Sequence, residues 1–150
     1  MKPVVQLDRT GCGIASVAAL AGVSYRQARL VANRLGISAG DSRLWSETHH
    51  VRRLLKEYGI RSASTQVPFT SWEALPDLAL LAVKWHKERD RSFWHWVVFW
   101  RGPCGPVVLD SKRALCRHVR TDFGRMKVKW FIPVSPIQKA AASLSRWLCR

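Results

Sequence analysis

The segment Gln6-Leu7-Asp8-Arg9-Thr10-Gly11-Cys12-Gly13-Ile14-Ala15-Ser16 decides how the rest of the chain is read. From Cys12 the run Ile14-Ala15-Ser16-Val17-Ala18-Ala19-Leu20-Ala21 is small and apolar on nearly every side, the pattern of a buried helix. Gly22 is a natural stop for it. A cysteine in the first turn of such a helix meets unpaired N–H groups and the positive end of the helix dipole. Both favour thiolate over thiol, as a nucleophile requires. Gly11 and Gly13 carry no side chain to bar a substrate backbone. Gln6, six residues earlier in an extended lead-in, can turn its amide back toward the sulfur. With the Cys12 N–H it would form a two-donor oxyanion hole. The plainer alternatives are a small core cysteine and a surface glutamine.

Further along, Ser24 is a candidate N-cap for a second helix with Ala28, Val31, Ala32 and Leu35 on its inner face, ended by Gly36. A third helix is predicted after Ser46, with Val51, Leu54, Leu55 and Tyr58 at helical spacing and a stop at Gly59. The period then changes. Ile60 to Val67 alternates like a strand, and Ser71 to Leu75 reads as one short helical turn. Leu78 to His86, Trp94 to Arg101, Val107 to Asp110 and Val128 to Val134 are rich in β-branched and aromatic residues and read as strands. Gly102-Pro103-Cys104-Gly105-Pro106 is a turn between two antiparallel strands. Helices first and an antiparallel sheet after them indicate an α+β fold with the helices packed on the sheet.

That order gives Cys12 partners. Pairing about the turn at 102–106 brings the start of the strand bearing His95 beside the end of the strand closing at Asp110. A carboxylate accepting from one imidazole nitrogen fixes the tautomer and leaves the other nitrogen for a thiol. The competing reading of His95 is a satisfied core histidine.

These four positions carry a resemblance. The chain is similar to the bacteriocin-processing cysteine peptidases, papain relatives that cleave leader peptides after a double glycine and often form the N-terminal domain of ABC exporters. Gln6, Cys12-Gly13, His95-Trp96-Val97-Val98 and Asp110 match that family's pattern in order and spacing, from about Val4 to Val134. The resemblance implies a papain-like fold over residues 1–135 and a thiol protease with Cys12 as nucleophile, His95 as base, Asp110 as orienter and Gln6 at the oxyanion. It further implies a groove in which Gly11, Gly13, Trp94 and Trp96 meet the peptide, and it implies no cofactor. Two positions depart from the pattern. Thr10-Gly11 stands where the family has an acidic residue before its Cys-Gly, and Ser111 where proline commonly follows the aspartate. The 150 residues hold no transporter helices or ATPase, so the resemblance does not extend to a leader as substrate.

Composition sets the outer bounds. One domain fits 150 residues, and a 47% hydrophobic fraction supplies a core. The longest apolar run, Leu78 to Val83, is far short of a membrane span, and the N-terminus lacks the pattern of a secretory signal. A cytoplasmic protein is the expectation, with Cys12, Cys104, Cys116 and Cys149 as free thiols. No Cys-x-x-Cys or His-Glu-x-x-His occurs, which argues against metal. The net charge is +15, of which residues 1–75 carry +5 and residues 76–150 carry +10. Such a field favours an anionic partner: acidic peptide, nucleic acid or membrane surface. Eight tryptophans beside many arginines admit stacking on single-stranded nucleic acid, but Trp94, Trp96 and Trp100 share a strand face with Val98, a packing pattern. Residues 136–150 are expected to form a basic amphipathic tail with Ile137, Ala141, Leu144 and Leu148 inside. The other functional readings are a catalytically silent peptide- or leader-binding module on the same fold and an acyl-transferring or deamidating effector.

Overall fold

A computed structural model describes residues 1–135. The expected C-terminal tail lies outside the described residues. Helix α1 spans Cys12–Ala21, with nine of its ten residues buried from Cys12 to Leu20, and Gly22 ends it in the left-handed conformation (φ 70°). Helix α2, Tyr25–Arg34, begins with the expected Ser24 cap, completed by Gln27 into a capping box. Its inner face is narrower than expected, since Ala28 and Ala32 are fully buried while Val31 and Leu35 are only partly so. Helix α3, His49–Glu57, turns Val51, Leu54 and Leu55 inward.

The sheet has seven strands in the order β1-β7-β3-β4-β5-β6, with β2 also on β7. They are β1 Arg61–Ser62, β2 Val67–Pro68, β3 Leu78–Glu88, β4 Arg91–Gly102, β5 Gly105–Leu109, β6 Val119–Arg120 and β7 Val128–Ser135. Every pairing is antiparallel. The strand expected over Ile60 to Val67 is two short pieces. Ser62 pairs with Val134 and Val67 with Phe131, so five steps along one segment match three along the other. The surplus residues leave the ladder as a loop. Ser71 to Leu75 is a turn, closed by Ala74 N–H on Ser71 Oγ and Leu75 N–H on Trp72 O.

Two apolar clusters lie on the sheet's opposite faces. One joins α1, α2 and α3 to Leu80, Ala82, Trp94, Trp96, Val98, Leu109 and Ile132. The other gathers Leu81, Val97, Phe99, Val108 and Phe131, covered by Phe69, Trp72 and Met126 from irregular segments and by Phe123 from a single 3-10 turn, Phe123–Arg125. The α-helices therefore cover one face only, and loops with one 3-10 turn close the other. Cys12 and Cys116 are free thiols, whereas Cys104, exposed in the β4–β5 turn, is disulfide-bonded. This corrects the expectation of free thiols throughout, because spacing along the chain does not reveal approach in space. No helix among the described residues is long and apolar enough to cross a membrane.

Candidate active site

Cys12 is the first residue of α1. Its N-cap, Gly11, offers no side-chain acceptor, so the N–H groups of the first turn are not capped by a side chain. The sulfur is buried, with Cys12 5% exposed. β4 carries His95 opposite Val83 of β3. β5 pairs Leu109 with Val98, which brings the next residue, Asp110, alongside His95. His95 Nε2 lies 2.8 Å from Asp110 Oδ1, and Cys12 is near enough to the ring to act on its titration. Nucleophile, base and carboxylate thus come together from a helix end, a strand interior and a strand end.

Burial of the His95 ring, 15% exposed, works against its charge. The hydrogen bond to Asp110 and the attraction of Asp110 and Cys12 outweigh it, and the imidazole pKa is pushed up to about 9. Asp110 has the opposite balance. Its side chain is fully buried, which would favour the neutral acid. The hydrogen bond and charge of His95, the Lys112 N–H on Oδ1 (3.1 Å) and Arg120 Nη1 on Oδ2 (2.9 Å) hold it well below the usual carboxylate range. Near neutral pH the pair is therefore imidazolium and carboxylate.

Arg120 is the member that sequence reading missed. β6 pairs Arg120 with Val108, two residues before Asp110, so the two side chains are diagonal neighbours on one face. Its other edge holds Asp122 through Nε (2.9 Å) and Nη2 (2.8 Å). A two-residue strand has no periodicity to recognise, and Arg120-Thr121-Asp122 reads as ordinary surface. His118 supports the same corner, its carbonyl accepting from Asp110 N–H at 2.9 Å.

Gln6 is buried beside this corner, with its backbone N–H on Ser111 O (3.0 Å) and its Oε1 accepting from Ser111 Oγ (2.9 Å). Its amide protons go to Asp8 O (3.0 Å) and Arg9 O (2.7 Å). Gln6 thereby ties the segment leading into Cys12 to the segment leaving Asp110, and both its donors are engaged. Ser111, in place of proline, is what supplies the hydroxyl.

The glycines and tryptophans have packing roles in the structure. A Cβ at Gly11 would overlap the Tyr25 hydroxyl, and one at Gly13 would lie 3.0 Å from Val51 Cγ2 and 3.3 Å from Trp96 Cδ1. The absent side chains make room for Tyr25 and for the seating of α1 on α3 and β4. Tyr25 spans Gly11 to donate to Asp8 Oδ2 at 2.6 Å, and Arg29 reaches the same carboxylate at 3.3 Å. Trp94 is 7% and Trp96 0% exposed. Trp96 Nε1 donates to Leu44 O at 2.7 Å, and both rings pack edge-to-face on Trp130. Their strand face is turned to the helices, which leaves them in the core and gives a substrate nothing to meet. Among the described residues, no group of three or more His, Cys, Asp or Glu is arranged to hold a metal.

The three helices pack on one face of the antiparallel sheet and bring Cys12, at a helix start, together with His95 of β4 and Asp110 at the end of β5. The chain shares its fold with the peptidase domain of Streptococcus mutans ComA, over 91% of this chain and 100% of that one, with a TM-score of 0.53 and 16% identity. It matches similarly the peptidase domain of Streptococcus ComA, described as a bi-functional ABC transporter involved in a quorum-sensing pathway. That likeness covers 90% of this chain and 98% of that one, with a TM-score of 0.52 and 19% identity. No protein-family model and no curated protein matches the sequence.

Proposed function

We propose that the protein is a cysteine peptidase in which Cys12 attacks, His95 transfers protons and Asp110 orients His95. The observation that carries this reading is the His95 ring, held to Asp110 Oδ1 at 2.8 Å and raised in pKa by both Asp110 and Cys12. The imidazolium stabilises a thiolate beside it. The thiolate forms a C–S bond to the peptide carbonyl carbon, and the carbonyl oxygen takes the negative charge. The Cys12 N–H, at the open end of α1, donates to that oxygen. Gln6 serves as second donor if one amide proton leaves the Asp8 or Arg9 carbonyl, a rearrangement within its own loop. As the C–N bond breaks, the imidazolium gives its proton to the departing amine. Neutral His95 then takes a proton from water, which attacks the thioester and releases the acid and Cys12. Arg120 and the Lys112 N–H keep Asp110 charged and in place throughout.

The test is incubation with a mixed-sequence peptide library in water enriched in ¹⁸O, read by mass spectrometry. Wild type is expected to generate new carboxyl termini carrying ¹⁸O, and Cys12→Ala and His95→Ala none. New termini bonded to an added amine in place of water would make the protein an acyl transferase. Peptide binding without any cleavage would make it a binding module on this fold.

A further inference from the structure

The β3–β4 hairpin runs on after its neighbours stop. β7 accompanies β3 only as far as Val83, and β5 pairs with β4 only from Val98 onward, while β3 and β4 stay paired out to Glu88 and Arg91. Beyond Val83 the hairpin is therefore a two-stranded ribbon. Its five β3 residues, Lys84 to Glu88, are all exposed and extend about 16 Å. Two strands alone are marginal in water, and this pair is braced. The His86 ring stacks on Phe93, Arg91 lies over the same ring at 5.6 Å, and Arg91 also reaches the hydroxyls of Ser42 and Ser46. Lys84, Lys87, Arg89 and Arg91 on the ribbon, with Lys127 and Lys129 beside it, face two carboxylates, Glu88 and Asp90. Glu88 is already engaged by His86 at 3.1 Å, and among the described residues none of the six cations has an ion-pair partner. Trp85 stands among them, 37% exposed and part of neither apolar cluster, with Lys129 Nζ 4.6 Å from the centre of its ring.

We propose that this ribbon binds single-stranded nucleic acid, its cations meeting the phosphates and Trp85 stacking on a base. The combination has a physical rationale. Cations tracking a polyphosphate gain by releasing its counterions, and an exposed aromatic face stacks on any unpaired base. Lys129 holds the indole by a cation–π contact and adds positive charge beside it. A bilayer is a poorer fit. The end of the ribbon is Glu88-Arg89-Asp90-Arg91, and Trp85 is its one exposed large apolar side chain, which leaves little to enter hydrocarbon. A duplex groove would use the charges and leave the indole idle, because paired bases offer only their edges. The activity is separate from peptide cleavage, since no member of the triad lies on the ribbon.

The experiment is a titration by fluorescence anisotropy. Fluorescein-labelled dodecamers of deoxythymidylate and of uridylate are titrated with the full chain, and the tighter of the two tells whether DNA or RNA is preferred. Trp85→Leu is expected to weaken binding at least about ten-fold, the scale of one stacked base, and Trp85→Phe to retain most of it. Lys87→Gln with Lys129→Gln should lower the slope of log affinity against log salt by about 1.4, at about 0.7 for each cation. Arg26→Gln with Lys56→Gln, which removes the same charge from exposed positions on α2 and α3, should leave the slope unchanged. Thermal melts and Cys12 alkylation of Trp85→Leu confirm that the fold and the triad are intact. Equal binding by wild type and Trp85→Leu would overturn the proposal, as would equal slopes in the two double variants. Binding confined to the matching duplex, or to phosphatidylserine vesicles, would overturn it as well. None of these results bears on whether Cys12 cuts peptide bonds.

Discussion

Asp110 uses both oxygens: Oδ1 meets His95 and the Lys112 N–H, and Oδ2 meets Arg120. Removing one partner of a buried charge leaves the other uncompensated. Arg120→Met is therefore expected to destabilise the fold by about 3 kcal/mol in urea titrations, against about 0.5 kcal/mol for an exposed surface change such as Lys87→Met. The titration of His95 makes a separate prediction. Its folded pKa of about 9 stands above the free value of 6.5, so its stabilisation is complete below about pH 6.5 and is lost as the pH rises through 9. Asp110, depressed, contributes above the ordinary carboxylate range and loses its contribution as the pH falls through its lowered value. Stability should thus decline from pH 7 to pH 10 in wild type, and His95→Gln should remove about 2 kcal/mol of that decline. An identical alkaline decline in both proteins would show that His95 gains nothing from its partners. At this scale Cys12, His95 and Asp110 were legible because each stands at a recognisable point of an element: a helix start, a β-rich run, the residue closing the next run. Arg120 was not, since its role depends on a strand pairing rather than on its neighbours in sequence. The packing reason for Gly11 was not legible, because the space beside it is filled by Tyr25, fourteen residues on. Tyr25→Phe should cost about 1–2 kcal/mol by removing the 2.6 Å bond to Asp8, read by the same titrations.

Among the elements, the helices were easier to read than the sheet. Ser24 caps α2 and Gly22, Gly36 and Gly59 follow helices with positive φ, so local chemistry sets each boundary. Ser24→Ala removes one capping-box partner and is expected to cost about 1 kcal/mol, whereas Ser24→Asp should be nearly neutral. The long strands β3 and β4 exceed their expected limits because the hairpin continues through charged residues to a turn at Arg89, whose φ is 53°. Charged residues carry no alternating apolar signal, so the pattern ended before the pairing did. The short strands β1, β2 and β6 were invisible or merged, since each is two residues long and is defined by its partner. The tryptophans of β4 belong to the same lesson. Alternation put Trp94, Trp96 and Trp100 on one face with Val98 and marked it as a packing face, and the packing of α1 and Leu44 makes it interior.

For the whole molecule, the order of helices before antiparallel strands was enough to indicate an α+β architecture with helices on the sheet. It did not reveal the second apolar face, which loops and one 3-10 turn close with Phe69, Trp72 and Phe123. The charge of +15 on 150 residues imposes repulsion that ordinary salt screens within about 10 Å at 0.1 M. Raising sodium chloride from about 0.02 to 0.3 M should therefore stabilise the protein by about 1 kcal/mol, and a flat or falling response in calorimetry would mean that the surface pairs already balance that repulsion. The central claim concerns the thiol. The most direct measurement is the pH dependence of Cys12 alkylation by iodoacetamide, followed by mass spectrometry in wild type and His95→Ala. Rapid reaction well below pH 7 that disappears in His95→Ala is the result expected of a nucleophile paired with imidazolium. A slow reaction that rises only near the ordinary thiol range of about 8.5 and ignores His95 would contradict it.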